Sequence, residues 1–250
     1  MLNEKAYALG ANRSVIRDLF EYGLSRAAVV GAENIYDYSL GNPSIPAPKE
    51  VNETICQILS DTDSLKIHGY TSAVGDFETR KAISDDLNNR YGVQTKPEEF
   101  FIGCGAAPEL VSVFRALSVP GGEILAIAPY FPEYKPFVEE AGLKFKVVPA
   151  DVPSFQINFE ALDKMITENT QAIILNSPNN PSGVVYTVET LKKLRYLIEE
   201  KIIEFGHTIY LVSDEPYREL TYGVESPLDP FHLERYHRLL LLFQVPVSAR

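Results

Sequence analysis

Apolar residues along the chain gather into short runs separated by segments of helical spacing. FFIG (100–103), EILAIA (123–128), KFKVV (144–148), QAIILN (171–176), TIYLVSD (208–214) and RLLLLF (238–243) are strand-sized. Their apolar character is continuous rather than alternating, which predicts strands buried on both faces. Between them, Leu191, Leu194, Ile198 and Ile202 recur at spacings of three and four, predicting a helix over 187–204 with Thr187 as N-cap. Phe77, Ile83, Leu87 and Tyr91 mark another helix, and Asn158 caps a third carrying Phe159, Leu162 and Ile166. Strands alternating with helices imply an α/β fold, a mostly parallel sheet with helices on both faces. Ligands in such folds sit at the carboxyl ends of the strands. The beginning of the chain reads differently. A helix is expected from Asn12 to about Val30, then a stiff, extended crossing through the proline-rich GNPSIPAPKE (41–50). The expected division is an N-terminal arm and helix over 1–44 and an α/β body over 45–250.

Composition works mainly by exclusion. The chain has 250 residues, 45% hydrophobic and 23% charged, enough for a buried core and unlike a disordered or fibrous chain. Its net charge of −11 argues against nucleic-acid binding and against docking on an anionic membrane. Cys56 and Cys104 are too few for a secreted disulfide framework. No signal-peptide pattern opens the chain and no apolar run reaches the ~20 residues of a membrane span, so a cytoplasmic protein is expected.

Four segments that follow strands carry candidate chemistry. After FFIG, CGAAPEL (104–110) is a glycine turn entering a helix that carries Leu110, Val113, Phe114 and Leu117. Gly105, Ala106 and Ala107 there offer unobstructed backbone amides, either as a phosphate seat or as a plain turn. After EILAIA, Phe131 in PYFPEY (129–134) is a stacking face for a flat ring, or a core aromatic. After QAIILN, NSPNNPSG (176–183) packs in more asparagine than a turn requires, and reads equally as ligand site and as structure. After TIYLVS, Asp214 follows a fully apolar strand and is either a buried carboxylate needing a partner or a turn cap, with Tyr217 three residues on. Together they offer a phosphate seat, a stacking face, an amide donor, a buried anion and a phenol, the set that pyridoxal 5'-phosphate asks for.

The order YTSAVG (70–75), GCGAAPEL, APYFPEY, NSPNNPSG, SDEPYREL resembles the aspartate aminotransferase family, the class I/II aminotransferases of fold type I, along nearly the whole chain. The resemblance implies the family's large domain, preceded by an N-terminal segment of its small domain. It implies amide contacts from Ala106 and Ala107 to the phosphate of pyridoxal 5'-phosphate. The family often has Ser or Thr at this turn, and its hydroxyl contact is missing here. It further implies Phe131 stacked on the ring, Asn180 and Tyr217 on the ring oxygen, and Asp214 on the pyridine nitrogen. Tyr70 is implied to reach the phosphate of a partner subunit, hence a homodimer, and Gly41 to pass the substrate carboxylate. The substrates implied are an amino acid and a 2-oxo acid; no metal is called for.

One part of the pattern is absent. The family's Schiff-base lysine, expected in a Ser-x-Ser-Lys-like turn after the next strand, has no counterpart in QVPVSAR (244–250), and no lysine follows Lys201. Suitable codons for Phe243–Ala249, read one base out of frame, give Ser-Lys-Ser-Leu-Ser-Ala. A frameshift that replaced the lysine turn and truncated the chain is therefore expected, with a natural divergent end as the alternative. As written, the chain is expected to be catalytically inactive and, with strand edges uncovered, poorly soluble. The other readings are a non-catalytic cofactor-binding or dimerising pseudoenzyme, or another enzyme of the same fold such as a carbon–sulfur lyase.

Overall fold

A computed structural model of the chain describes residues 2, 4–11, 15–39, 41, 45–218, 220–223 and 239–242. It divides into two compact units, Met1–Ile58 and Leu59–Pro246. The first contains helices α1 (Glu4–Ala11) and α2 (Val15–Val30), a 3-10 turn at Ala32–Asn34, and most of α3 (Lys49–Asp61). The helix expected from Asn12 is thus seen from Val15, and residues 12–14 lie outside those described. The end of the stiff crossing expected over 41–50 is corrected, because Lys49 and Glu50 already belong to α3. Pro48 stands just ahead of this helix, where a missing N–H costs nothing, and its carbonyl accepts from Val51 N at 3.1 Å. Asn42, Pro43 and Ser44 lie outside the described residues.

The second unit continues with α4 (Ser64–His68), α5 (Phe77–Tyr91), a 3-10 turn at Pro97–Glu99, and α6 (Ala106–Ala116). Then come β1 (Glu123–Ile127), α7 (Tyr134–Glu140), β2 (Lys144–Val148), α8 (Phe159–Met165), β3 (Thr170–Asn176), α9 (Val188–Phe205), β4 (Tyr210–Asp214) and β5 (Leu239–Leu242). The five strands form one sheet in the order β2-β1-β3-β4-β5. Every neighbouring pair is parallel, as the alternation of strands and helices predicted.

Successive strand residues point to opposite faces, and each face has its own core. Ile124, Ala126, Ile174 and Val212 pack with Leu110 and Phe114 of α6 and Val138 of α7. Leu125, Ile127, Ile173, Leu175 and Leu211 pack on the other face with Leu162 of α8 and Leu191, Leu194 and Ile198 of α9. The caps follow from the sequence: Asp76 accepts from Thr79 N for α5, Asn158 from Ala161 N for α8, and Thr187 from Thr190 N for α9.

Two strand expectations are corrected. FFIG is not a strand. Ile102 N bonds to Val74 O at 3.1 Å, but no strand runs beside the segment among the described residues, and Phe101 is exposed. β2 is not buried on both faces, because it is the edge of the sheet and only Val148 is fully buried.

The chain leaves β1 for β2 on one side, then returns past β1 to β3. The reversal of direction opens a crevice between the carboxyl ends of β1 and β3. α6 reaches the same edge from the other direction. It immediately precedes β1, and its length of roughly 16 Å matches that of the strand, so its N-terminus lies where the strands finish. Among the described residues no helix is long and apolar enough to cross a membrane.

Candidate functional site

The last residues of β3 and β4, Asn176 and Asp214, are register partners and stand side by side at the carboxyl edge. Asp214 is buried, at 5% exposure. Its Oδ2 accepts a 2.5 Å hydrogen bond from Tyr134 Oη, whereas its Oδ1 is buried with no partner among the described residues. Burial raises the Asp214 carboxyl above its ordinary value, against the lowering effect of the Tyr134 bond. Tyr134 is raised as well, by burial first and then by the Asp214 charge. Asp214 is therefore the buried carboxylate of the two alternatives, and among the described residues its side chain caps nothing.

The asparagine-rich loop resolves into two builders and one spare. Asn176 Nδ2 donates to Asp214 O at 2.8 Å, and its Oδ1 accepts from Asn180 N at 2.7 Å. Asn179 Nδ2 donates to Pro129 O at 3.1 Å, and its Oδ1 accepts from Ser182 N and Ser182 Oγ. These bonds hold the loop after β3 against the loop after β1 and close its turn at Gly183, whose φ of +73° suits glycine. Asn180 remains for other work, with Nδ2 donating to Tyr217 Oη at 3.3 Å. Behind Tyr217, Glu215 and Arg218 form a buried ion pair, and Ser213 Oγ donates to Glu215 Oε1 at 2.6 Å. Phe131 is half-buried and meets the Tyr134 ring edge-on, with centroids 5.6 Å apart.

At the start of α6, Gly105 is the N-cap, with φ +117° and no side-chain cap. The Ala106 and Ala107 N–H groups have no intrahelical acceptor, and Pro108 removes the next donor. Nothing lies within 4 Å of where a Cβ at Gly105 would stand, so the space beside the turn is open. The turn therefore presents two backbone amides and a positive helix end.

Phe131, Asn180, Asp214, Tyr217 and the 105–107 turn thus all belong to the carboxyl edge of one unit. Tyr70 lies in the same unit, fully exposed. Gly41 belongs to the other unit, exposed, with open space where a Cβ would stand. The segment 244–250, where the family pattern places the lysine turn, lies outside the described residues. Lys201 sits on α9, paired at 2.9 Å with both Asp163 and Glu204, which hold its amine charged. Tyr134, Asn176 and Asn179 are the site residues that the sequence reading did not single out. The signal for Tyr134 is its place one helical turn after Phe131, and for the two asparagines the density of the motif itself.

The donor set suits a phosphorylated pyridine. The unpartnered Oδ1 of Asp214 wants a cationic N–H, the α6 amides want an anion, and Asn180 with Tyr217 can bond a ring oxygen.

Comparison with known proteins points the same way. The family described as aminotransferase class I and II matches residues 32–244. The chain is 30% identical over 202 residues to an aspartate aminotransferase of Thermotoga maritima, covering 80% of this chain and 51% of that protein. It is 33% identical over 202 residues to a probable aspartate/prephenate aminotransferase of Aquifex aeolicus, covering 79% and 48% respectively. Among solved structures, an amino transferase from Eubacterium rectale superposes with a TM-score of 0.92 at 51% identity, over 97% of this chain and 61% of that one. An aspartate aminotransferase from Thermus thermophilus gives 0.83 at 27% identity, over 97% and 60%. The chain spans about half the length of the relatives it matches. Its parallel α/β sheet is the one expected from the fold type I resemblance, and the chain belongs to the class I and II aminotransferase family.

Proposed function

We propose that this chain carries the pyridoxal 5'-phosphate site of an enzyme that moves an amino group between an amino acid and a 2-oxo acid. The observation that carries this reading is Asp214, a buried carboxylate with one oxygen hydrogen-bonded and the other unpaired among the described residues. Such a group is costly to hold without a partner, and a protonated ring nitrogen supplies one. Bound there, the cofactor contributes an electron sink for the substrate's reacting carbon.

The protein's own part is binding and orientation. Ala106 and Ala107 amides hold the phosphate, Phe131 covers a ring face, and Asn180 and Tyr217 hold the ring oxygen. Asp214 keeps the proton on the ring nitrogen. Tyr70, fully exposed, is free to reach the phosphate of a second copy, which supports a homodimer. Titration with pyridoxamine 5'-phosphate tests this reading. Saturable one-to-one binding that Asp214→Asn weakens by about tenfold or more is expected. Equal binding by both proteins defeats it.

One observation favours a second reading for these 250 residues. No lysine follows Lys201, and Lys201 itself is engaged by two carboxylates. On this reading the chain holds the cofactor without a covalent link. Borohydride treatment of the complex with pyridoxal 5'-phosphate should then leave no stoichiometric mass increment, and dialysis should remove the ligand. A single modified lysine at full occupancy would exclude it.

A further inference from the structure

We propose that Tyr134 is a positioning residue that holds the Asp214 carboxylate so that one oxygen, Oδ1, receives the ligand's ring N–H. The proposal rests on the cofactor reading above and adds a residue to it. Tyr134 opens α7 and is buried, with 1% exposure. Its hydroxyl donates to Oδ2 of Asp214, eighty positions later, at 2.5 Å. The other contact at Asp214 does not orient the carboxylate, because Asn176 bonds the main-chain carbonyl. Among the described residues Tyr134 is thus the donor that fixes the rotation of this side chain, and Oδ1 is left buried and open.

The same residue touches the stacking element. Tyr134 N donates to Phe131 O at 3.1 Å, and the two rings meet edge-on at 80°. Through its ring edge and its hydroxyl, one side chain therefore touches both the stacking ring and the ring-nitrogen acceptor. The phenol also moderates the acceptor. A carboxylate sharing charge with one O–H is a weaker base than a bare one, and a ligand nitrogen bonded to it stays protonated without losing its proton to the carboxylate. Tyr217 and Tyr186 are close enough to Tyr134 to affect it electrostatically, but neither donates to Asp214.

The test compares two ligands on the full chain: pyridoxamine 5'-phosphate and its 1-deaza analogue, in which the ring nitrogen is replaced by CH. The amine form avoids reaction with surface lysines. Wild type should prefer the nitrogen-bearing ligand by about tenfold or more, and Asp214→Asn should abolish the preference. Tyr134→Phe keeps the ring in the core. It should cut the preference at least about threefold while moving the affinity of the deaza analogue by less than about twofold. A merely structural role would weaken both ligands alike and leave their ratio unchanged, which overturns the proposal. The double variant should match Asp214→Asn alone, because Tyr134 acts through Asp214. An additional loss of preference in the double variant also overturns it. If Tyr134→Phe does not fold, 3-fluorotyrosine placed at 134 keeps the shape and strengthens the donor. An altered ratio supports the proposal and an unaltered one defeats it. Wild type that binds neither ligand overturns the cofactor reading and this one with it, whereas a preference indifferent to Tyr134 overturns this one alone.

Discussion

Asp214 opposes the folding of the chain that carries it. Its carboxyl is raised above the ordinary value of 3.8 by burial. A group whose folded value is raised contributes stability that is fully present below the unfolded value and is lost as pH rises through the folded one. Asp214→Asn removes this dependence. The ligand-free variant should melt above wild type at neutral pH, and the difference should close as pH falls below about 4. Melting temperatures measured from pH 3 to 8 check this, and a wild type that melts higher at every pH refutes it. At this scale much of the candidate site was legible in the sequence, since Phe131, Asn180, Asp214 and Tyr217 sit in dense motifs after apolar strands. Tyr134 was not, because its partner is eighty positions away, and its place one turn after Phe131 does not by itself point to Asp214. The structural work of Asn176 and Asn179 was hidden for the same reason, as one reaches Asp214 O and the other Pro129 O.

Elements read from continuous apolar runs held where a neighbour exists on both sides. β1 and β3 are interior strands and are buried as the runs suggested. β2 and FFIG have similar composition but lack that setting, and an apolar run does not reveal which strands lie beside it. α3 and α7 went unread. α7 has seven residues with Pro136 in its first turn, too short for a helical period to emerge. α9 shows how far local chemistry goes when caps and periodicity agree. Thr187 Oγ1 accepts from Thr190 N at 3.1 Å, and Gly206 in the left-handed region ends the helix. Thr187→Ala should cost about 1 kcal/mol in urea unfolding, with an unchanged m-value. An effect near zero would show that the Gln156 bonds to Thr187 N and Thr190 Oγ1 hold this turn without the cap.

Across the whole molecule the two edges of the sheet carry opposite electrostatics. At the amino edge Glu123 is buried, with Lys146 Nζ donating to its Oε2 at 2.9 Å and Thr167 Oγ1 at 2.8 Å. Burial pushes this carboxyl up, but the two hydrogen bonds and the lysine charges outweigh it, and the net direction is down. Its stabilising contribution is present above the unfolded value of 4.5 and is lost as pH falls through the folded one. Lys146→Met should therefore move the acid-unfolding midpoint to higher pH, measured by circular dichroism. A midpoint that stays put would show the pair to be idle.

The strand order has a kinetic consequence. Phe131, Asn180, Asp214 and Tyr217 follow β1, β3 and β4, the 105–107 turn precedes β1, and no two of these strands are joined by a short hairpin. Contacts of such long sequence separation form late in folding. On the cofactor reading proposed above, there is accordingly no half-built pocket, and ligand capture and completion of the sheet become one event. In stopped-flow refolding, quenching of tyrosine emission by pyridoxamine 5'-phosphate should appear with the slowest sheet-forming phase and in no earlier one. By mass action the proposed ligand would then retard the reverse reaction, so that a small molecule at the carboxyl edge would act as a clasp on the whole β1–β3–β4 core.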